Sequence, residues 1–161
     1  MSIQVGDKMP DGAMTIMGAE GPSPISTGDL FDGKTVVVFA VPGAFTPACS
    51  AKHLPGYVEN AEALRAKGVD TVACLSVNDV FVMDAWGQAH GADAKVIMLA
   101  DGNADYIKKL GLELDATGFG MGTRAERFAL VVVDGKVKQV HKEAVISDVM
   151  ESSAENIIAN L

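Results

Sequence analysis

One short stretch of the chain places a cysteine where a helix is expected to begin. Residues 42–49 read PGAFTPAC, with Thr46 suited to a helix N-cap and Pro47 to the first helical position. Cys49 then falls in the first turn, among unpaired backbone N–H groups at the positive end of the helix dipole. Because these conditions stabilise a thiolate, the pattern predicts that Cys49 is a reactive nucleophile.

Three functions are compatible with this cysteine on the residues alone. A thiolate can attack a peroxide, or it can attack an acyl group with a base beside it. His53 is the candidate base, because residues four apart on one helix face can meet, although no third residue to orient it is evident. If Cys49 is only a small buried side chain, the protein is a binding module without redox chemistry.

The motif around the cysteine resembles a known family. Pro42, Thr46 and Cys49 match the Pro-x-x-x-Thr-x-x-Cys signature of peroxiredoxins. The longer resemblance is to the type-5 subfamily, which includes the plant type II enzymes, and it extends over residues 41–50, 53–56, 67–69, 73–79, 86 and 127–128. It implies a thiol peroxidase that reduces hydrogen peroxide and alkyl hydroperoxides and leaves Cys49 as a sulfenic acid.

The same resemblance implies roles for the residues around the sulfur. Thr46 would hydrogen-bond the peroxide and the thiolate, and Arg127 would hold the thiolate and polarise the O–O bond. Pro42 would shield the sulfur from water, while the backbone N–H groups of Gly43 and Cys49 would align the substrate. Fixed donors aimed at developing charge are usually the largest source of acceleration, and arginine supplies a permanent charge on a rigid fork.

Four further side chains are candidates for the substrate pocket. Arg124 competes for the role of the active-site arginine, with an exposed loop position as the alternative. His53 shares the helix face of the thiol, so it would tune the thiolate, contact a partner subunit or lie at the pocket rim. Phe45 belongs to the motif itself, and Phe119 lies in a glycine-rich loop expected to flank the site.

The second cysteine, Cys74, lies in a predicted buried strand and is interpreted as core packing. Two-cysteine members of the subfamily place a resolving cysteine near the C-terminus, whereas residues 151–154 here are ESSA. The resemblance therefore implies a one-cysteine cycle with an external reductant: glutathione, with or without glutaredoxin, or a thioredoxin. It also implies a homodimer.

Alternating strands and helices must position these residues. The run TVVVFA at 35–40 is apolar on both faces, which is typical of a strand buried in a parallel sheet. Further strands are predicted at 69–77, 95–100, 128–133 and 137–140, the last two joined by Asp134-Gly135. Helices are predicted at 47–67, at 80–90 after a cap at 78–79, at 104–109 and at 147–161.

This order predicts an α/β protein with a central mixed β-sheet and helices on both faces. The arrangement is thioredoxin-like, although a flavodoxin-like order begins in the same way. The first thirty residues, rich in Gly and Pro, are expected to form a hairpin or loop laid over the sheet. Residues 1–161 are predicted to form one thioredoxin-like domain.

Composition excludes several classes of protein. The chain has 161 residues, 48% of them hydrophobic, so it is not disordered, and two cysteines are too few for a disulfide scaffold. A net charge of −8 argues against nucleic acid or an anionic membrane as partner.

We expect a cytoplasmic protein, because no leader pattern is present and the longest apolar run, residues 36–41, is far short of the roughly 20 residues that span a membrane. The three histidines lack metal-ligand spacing, so no metal or other cofactor is predicted.

Overall fold

A seven-stranded mixed sheet runs through the centre of the protein. The computed structural model describes residues 1–161. The strands are β1 (Ala13–Gly18), β2 (Gly21–Ser26), β3 (Thr35–Ala40), β4 (Thr71–Ser76), β5 (Ile97–Ala100), β6 (Glu113–Asp115), β7 (Thr123–Ala125), β8 (Phe128–Val133) and β9 (Lys136–Lys142). Their order in the sheet is β2-β1-β5-β4-β3-β8-β9, and β6 pairs with β7 in a separate small sheet. Strands β3, β4 and β5 are parallel and the other pairs are antiparallel, which confirms the predicted mixed sheet.

Helices cover both faces of this sheet, as predicted. They are α1 (Thr27–Phe31), α2 (Leu54–Glu59), α3 (Ala61–Ala66), α4 (Val80–Ala89), α5 (Asp105–Leu110) and α6 (Ala154–Asn160). Side chains of α1 and α5 belong to one hydrophobic core, and side chains of α2, α3, α4 and α6 belong to the other.

The central strand β3 shows why the sheet must be covered twice. Its even-numbered residues, such as Val36 and Val38, pack into the core under α1 and α5. Its odd-numbered residues, such as Val37 and Phe39, pack into the core under the other four helices. Because successive side chains of a strand point to opposite faces, a strand that is apolar at every position is stable only between two layers.

The predicted helix over residues 47–67 is wrong in its continuity. The chain becomes helical at Pro47, passes through a π-helical turn at Cys49–His53, and continues as α2 and α3 with a break at Asn60. The Asn60 side chain donates a hydrogen bond to the Gly56 carbonyl (2.8 Å), as expected of a residue that competes with the backbone of a regular helix. The π turn is the irregularity that bears on the site, because it begins at the cysteine.

One prediction for the N-terminal segment needs correction, and the glycine-rich loop contains structure that was not predicted. The N-terminal hairpin, β1 and β2, does not lie over the sheet but extends its edge, since Thr15 pairs with Ala100 of β5. The glycine-rich loop is bounded by the β6–β7 pair and contains a short 3₁₀ turn at Thr117–Phe119. These short segments were not predicted, because three residues are too few to show a period.

The last helix is shorter than predicted. Residues 147–153 are not helical, and α6 begins only after Ser153, whose hydroxyl accepts a hydrogen bond from the Asn156 N–H (3.2 Å). The cap of α4 was predicted correctly, with the Asp79 carboxylate accepting from the Val82 N–H (2.8 Å).

Candidate active site

The loop that carries Cys49 leaves the carboxyl end of β3 and is held by the neighbouring strand. The Val41 N–H donates to the Leu75 carbonyl (3.1 Å), and the Ala44 N–H donates to the Asn78 side-chain oxygen (3.0 Å). Sites in open α/β sheets lie at this edge. The Cys49 side chain is fully buried at the start of the π turn.

The turn before the cysteine has an unusual backbone. Phe45 adopts a left-handed conformation with φ of 64°, and the residue is 56% exposed. The Thr46 hydroxyl donates to the Gly43 carbonyl (2.6 Å), and no backbone N–H donates to its oxygen, so it does not cap the helix as its position suggested. With its hydrogen used in this way, the Thr46 oxygen keeps its lone pairs for accepting a hydrogen bond. Gly43 is packed closely, since a Cβ there would lie 3.2 Å from Thr46 Cγ2.

The Arg127 guanidinium contacts the Cys49 sulfur directly. Its Nη2 donates to Cys49 Sγ (3.0 Å), its Nη1 bonds His53 Nδ1 (2.9 Å) and its Nε donates to the Ile146 carbonyl (2.8 Å). The residue directly precedes β8, whose first residue, Phe128, pairs with the last residue of β3. The strand pairing therefore brings the arginine to the edge at which the cysteine loop begins.

His53 is buried rather than at the pocket rim, so the rim interpretation is wrong. Its Nε2 contacts the Ser152 carbonyl (3.0 Å), which can only accept, and its Nδ1 contacts Arg127, which can only donate. These partners assign the neutral tautomer with hydrogen on Nε2. Burial and the positive charge of Arg127 lower the pKa of His53 from 6.5 to about 3.

A second layer of polar groups supports His53 from behind. The Ser152 carbonyl also accepts from the Tyr57 hydroxyl (2.7 Å), and the Ser152 hydroxyl donates to the Glu143 carboxylate (2.5 Å). Burial of Glu143 opposes its ionisation, but hydrogen bonds from Ser152, Met150 and Glu151 outweigh it and hold the pKa of the carboxyl below its usual value. Every buried side-chain polar atom of the protein has a hydrogen-bond partner.

Cys74 lies in the core, as expected from its strand. It is fully buried in β4, beside Phe39 of β3 in the parallel register, and it is a free thiol. Burial, followed by the negative charge of Cys49, raises the pKa of the Cys74 thiol well above its usual value. A thiol held neutral in this way is a weak nucleophile.

None of the remaining candidates hydrogen-bonds the sulfur, whose partner is Arg127. Arg124 donates to the Met121 carbonyl (2.9 Å) and the Val77 carbonyl (3.0 Å), so it holds the glycine-rich loop. Pro42 is half-buried in the loop before the cysteine, and Phe119 is exposed to solvent. Substrate contacts by these residues, and by Gly43, stay predictions.

Several supporting residues had escaped sequence analysis. Glu143, Ser152 and Tyr57 form the layer behind His53. Trp86, which entered the sequence analysis only through the family resemblance, donates its indole N–H to the Ser50 hydroxyl (3.0 Å) beside the cysteine. Ser152 was noted only as a position without cysteine. Nothing in the spacing of these residues marked them, because their contacts join segments far apart in the chain.

Comparison with known proteins identifies the family. The Redoxin family model matches residues 4–158. The chain is 45% identical to peroxiredoxin-2B of Arabidopsis thaliana over 160 residues, which cover 99% of this chain and 98% of the relative. This chain belongs to the peroxiredoxin family. The resemblance seen in the sequence is therefore confirmed.

Solved structures agree with this peroxiredoxin in fold. Reduced Prx3 of Vibrio vulnificus, crystallised in complex with hydrogen peroxide, superimposes with a TM-score of 0.93 at 47% identity, and the match covers 98% of each chain. The predicted thioredoxin-like fold is thereby confirmed. The chain spans 62% of the length of another relative, the chloroplastic peroxiredoxin-2E of Arabidopsis thaliana, at 46% identity.

The hydrolase hypothesis gains no support. Both ring nitrogens of His53 are occupied, one by Arg127 and the other by the Ser152 carbonyl, so neither is free to act as a base on Cys49. The relatives named above are peroxiredoxins.

No helix of this peroxiredoxin combines the length and apolar character that crossing a membrane requires.

Proposed function

We propose that this peroxiredoxin is a thiol-dependent peroxidase that reduces hydrogen peroxide and alkyl hydroperoxides with Cys49. The observation that carries the proposal is the 3.0 Å hydrogen bond from Arg127 Nη2 to Cys49 Sγ at the start of a helical turn. The Arg127 guanidinium is buried and forms no ion pair with a carboxylate. It therefore stabilises negative charge on the sulfur and on an oxygen bound beside it.

The chemistry follows from the hydrogen-bond donors around the sulfur. The Cys49 thiolate attacks one peroxide oxygen, the S–O bond forms as the O–O bond breaks, and the departing alkoxide or hydroxide takes up a proton. Sulfur is oxidised to sulfenic acid and the peroxide is reduced to alcohol or water. We assign to Arg127 the stabilisation of charge as it moves from sulfur to the leaving oxygen, and to Thr46 and the N–H of Gly43 the alignment of the peroxide.

We propose that an external thiol completes the cycle. It attacks the Cys49 sulfenic acid, releases water and forms a mixed disulfide, which a second thiol then reduces. Ser152 stands in the region where a resolving cysteine was considered, and Cys74 is packed in the core. Glutathione, glutaredoxin and thioredoxin are the candidate reductants, and a cytoplasmic location, where such thiols keep cysteines reduced, fits this cycle.

We also propose a homodimer. Phe45 and Phe81 expose 56% and 65% of their surface, although large aromatic side chains are usually buried. Phe45 lies in the active-site loop, and Phe81 lies in the first turn of α4. Sedimentation of the wild type against Phe81→Asp tests the dimer: dissociation of the variant is expected, and a monomeric wild type would exclude it.

A coupled peroxidase assay tests the function and the reductant together. Wild type and Cys49→Ser are compared with glutathione alone, with glutathione and glutaredoxin, and with a thioredoxin system. We expect peroxide consumption by the wild type with at least one reductant, and none above background by Cys49→Ser. Equal turnover by the two proteins would refute the assignment of Cys49.

A further inference from the structure

A buried carboxylate behind the active site gathers an unusual number of donors. Glu143 Oε2 accepts from the Ser152 N–H (2.7 Å), the Ser152 hydroxyl (2.5 Å) and the Met150 N–H (3.0 Å). Its Oε1 accepts from the Glu151 N–H (3.2 Å). No cation pairs with this carboxylate, and its four hydrogen bonds all come from one tight turn, residues 150–152.

That turn connects to the reactive sulfur through two further residues. The Ser152 carbonyl accepts the Nε2 hydrogen of His53, which leaves the Nδ1 lone pair facing Arg127 Nη1. The same guanidinium donates through Nη2 to Cys49 Sγ. A continuous path of hydrogen bonds therefore leads from the Glu143 carboxylate to the sulfur.

Glu143 is also bound to the arginine through its main chain. It directly follows β9, and its N–H donates to the Arg127 carbonyl (3.0 Å) across from the end of that strand. The loop that leaves Glu143 then supplies the Ile146 carbonyl to Arg127 Nε (2.8 Å) before it returns to Ser152. One loop thus holds the backbone and Nε of the arginine, as well as the histidine that contacts its Nη1.

We propose that Glu143 is a positioning residue for the reaction of Cys49 with peroxide, acting through Ser152 and His53 to orient Arg127. The inference rests on the proposed peroxidase function. Glu143 touches neither the sulfur nor the substrate. Its carboxylate keeps the Ser152 carbonyl aimed at Nε2, and this selects the only neutral tautomer whose Nδ1 can accept from the arginine.

The consequence of losing this restraint follows from hydrogen-bond chemistry. If the Ser152 carbonyl turns away, the ring hydrogen can move to Nδ1, where it opposes the Nη1 hydrogen of Arg127. The guanidinium of Arg127 must then shift, and its Nη2 moves away from the sulfur. A merely structural Glu143, which only folds the turn before α6, would lower stability and leave the His53 tautomer and the sulfur contact unchanged.

The test combines a rate with a spectroscopic readout. Glu143→Gln keeps the size of the side chain but removes its charge and one acceptor oxygen. We expect its second-order rate constant for Cys49 oxidation by hydrogen peroxide to fall on the order of tenfold, since small misplacements of a reacting group carry costs of that size or larger. The ¹⁵N chemical shifts of the His53 ring distinguish the tautomers. They should report a single tautomer in the wild type and a mixture of tautomers in Glu143→Gln.

Asp101→Asn is the matched control. Asp101 is also a buried carboxylate on backbone N–H groups, those of Tyr106 (3.1 Å) and Ile107 (2.8 Å), but it has no hydrogen bond to the loop behind His53. It should lose stability while keeping the wild-type rate constant and His53 shifts. A comparable loss of rate in the control would overturn the proposal by showing that destabilisation alone slows the reaction.

The other outcomes are also decisive. A folded Glu143→Gln protein with the wild-type rate constant and a single His53 tautomer would overturn the proposal. If Glu143→Gln does not fold, Ser152→Ala, which removes only the hydroxyl donor and keeps the carbonyl, takes its place with the same readouts and the same expected directions. If wild-type Cys49 is not oxidised by peroxide, the proposed function fails instead, and the tautomer measurement separates that result from a failure of positioning.

Discussion

Mild acid should destabilise this peroxiredoxin through its active site. Burial and Arg127 hold the folded-state pKa of His53 at about 3, against 6.5 for the ordinary side chain. Below pH 6.5 the unfolded chain binds a proton on this ring that the folded chain does not. The stability that the folded protein has with a neutral His53 is therefore fully present above pH 6.5. It is lost as the pH falls toward 3.

The size of the effect follows from this difference in pKa. Each pH unit within the window costs about 1.4 kcal/mol, so the free energy of unfolding should fall by about 2 kcal/mol between about pH 7 and pH 5. The Glu143 carboxyl, whose pKa is held below 4.5, acts with the same sign only at lower pH. Urea unfolding at several pH values above about 5 therefore measures His53 with little contribution from Glu143.

The control removes the titrating ring. His53→Gln should lower stability at neutral pH but should flatten its dependence on pH across the window. His90→Gln, at a half-buried histidine outside the network, should keep the wild-type slope. A wild-type free energy of unfolding that does not change with pH, or an unchanged slope in His53→Gln, would refute the reasoning.

Three further predictions test other contacts. Arg127→Lys replaces three directed side-chain hydrogen bonds by one ammonium, so the rate constant of Cys49 oxidation in stopped-flow should fall roughly a hundredfold; an equal fall in Arg124→Lys would contradict the assignment. Cys74→Ala should keep wild-type turnover in the coupled assay, since that thiol is buried and neutral, and loss of turnover would give it a redox role. Asp79→Ala removes the cap of α4 and should cost about 1 kcal/mol in urea unfolding, whereas no change would show that the cap does not contribute.

Much of the fold was predictable because its signals are local. The apolar run of β3, the Asp79 cap and the Asp134-Gly135 turn each depend on neighbouring residues, and each appears in the structure near the expected position. The position of Cys49 at the start of a helical turn was predicted from a local signal of the same kind, although the Thr46 hydroxyl does not cap that turn. Arg127 came from family resemblance, because its contact with the sulfur depends on the pairing of β8 with β3.

The layer behind the site was not predictable for the opposite reason. Glu143 contacts residues 150–152, and Ser152 contacts His53 across 99 positions of the chain. Neither residue type, nor any spacing, marks such a contact before the fold exists. The shortened α6 has the same cause, since the turn held by Glu143 occupies residues that an amphipathic pattern had assigned to the helix.

The most direct test of the central claim is the fate of the two cysteines after one equivalent of hydrogen peroxide. Dimedone is added at once, and the modified residue is located by peptide mass spectrometry. The account predicts dimedone on Cys49, an unmodified Cys74, and no adduct in Cys49→Ser. Labelling of Cys74 with Cys49 untouched would contradict it.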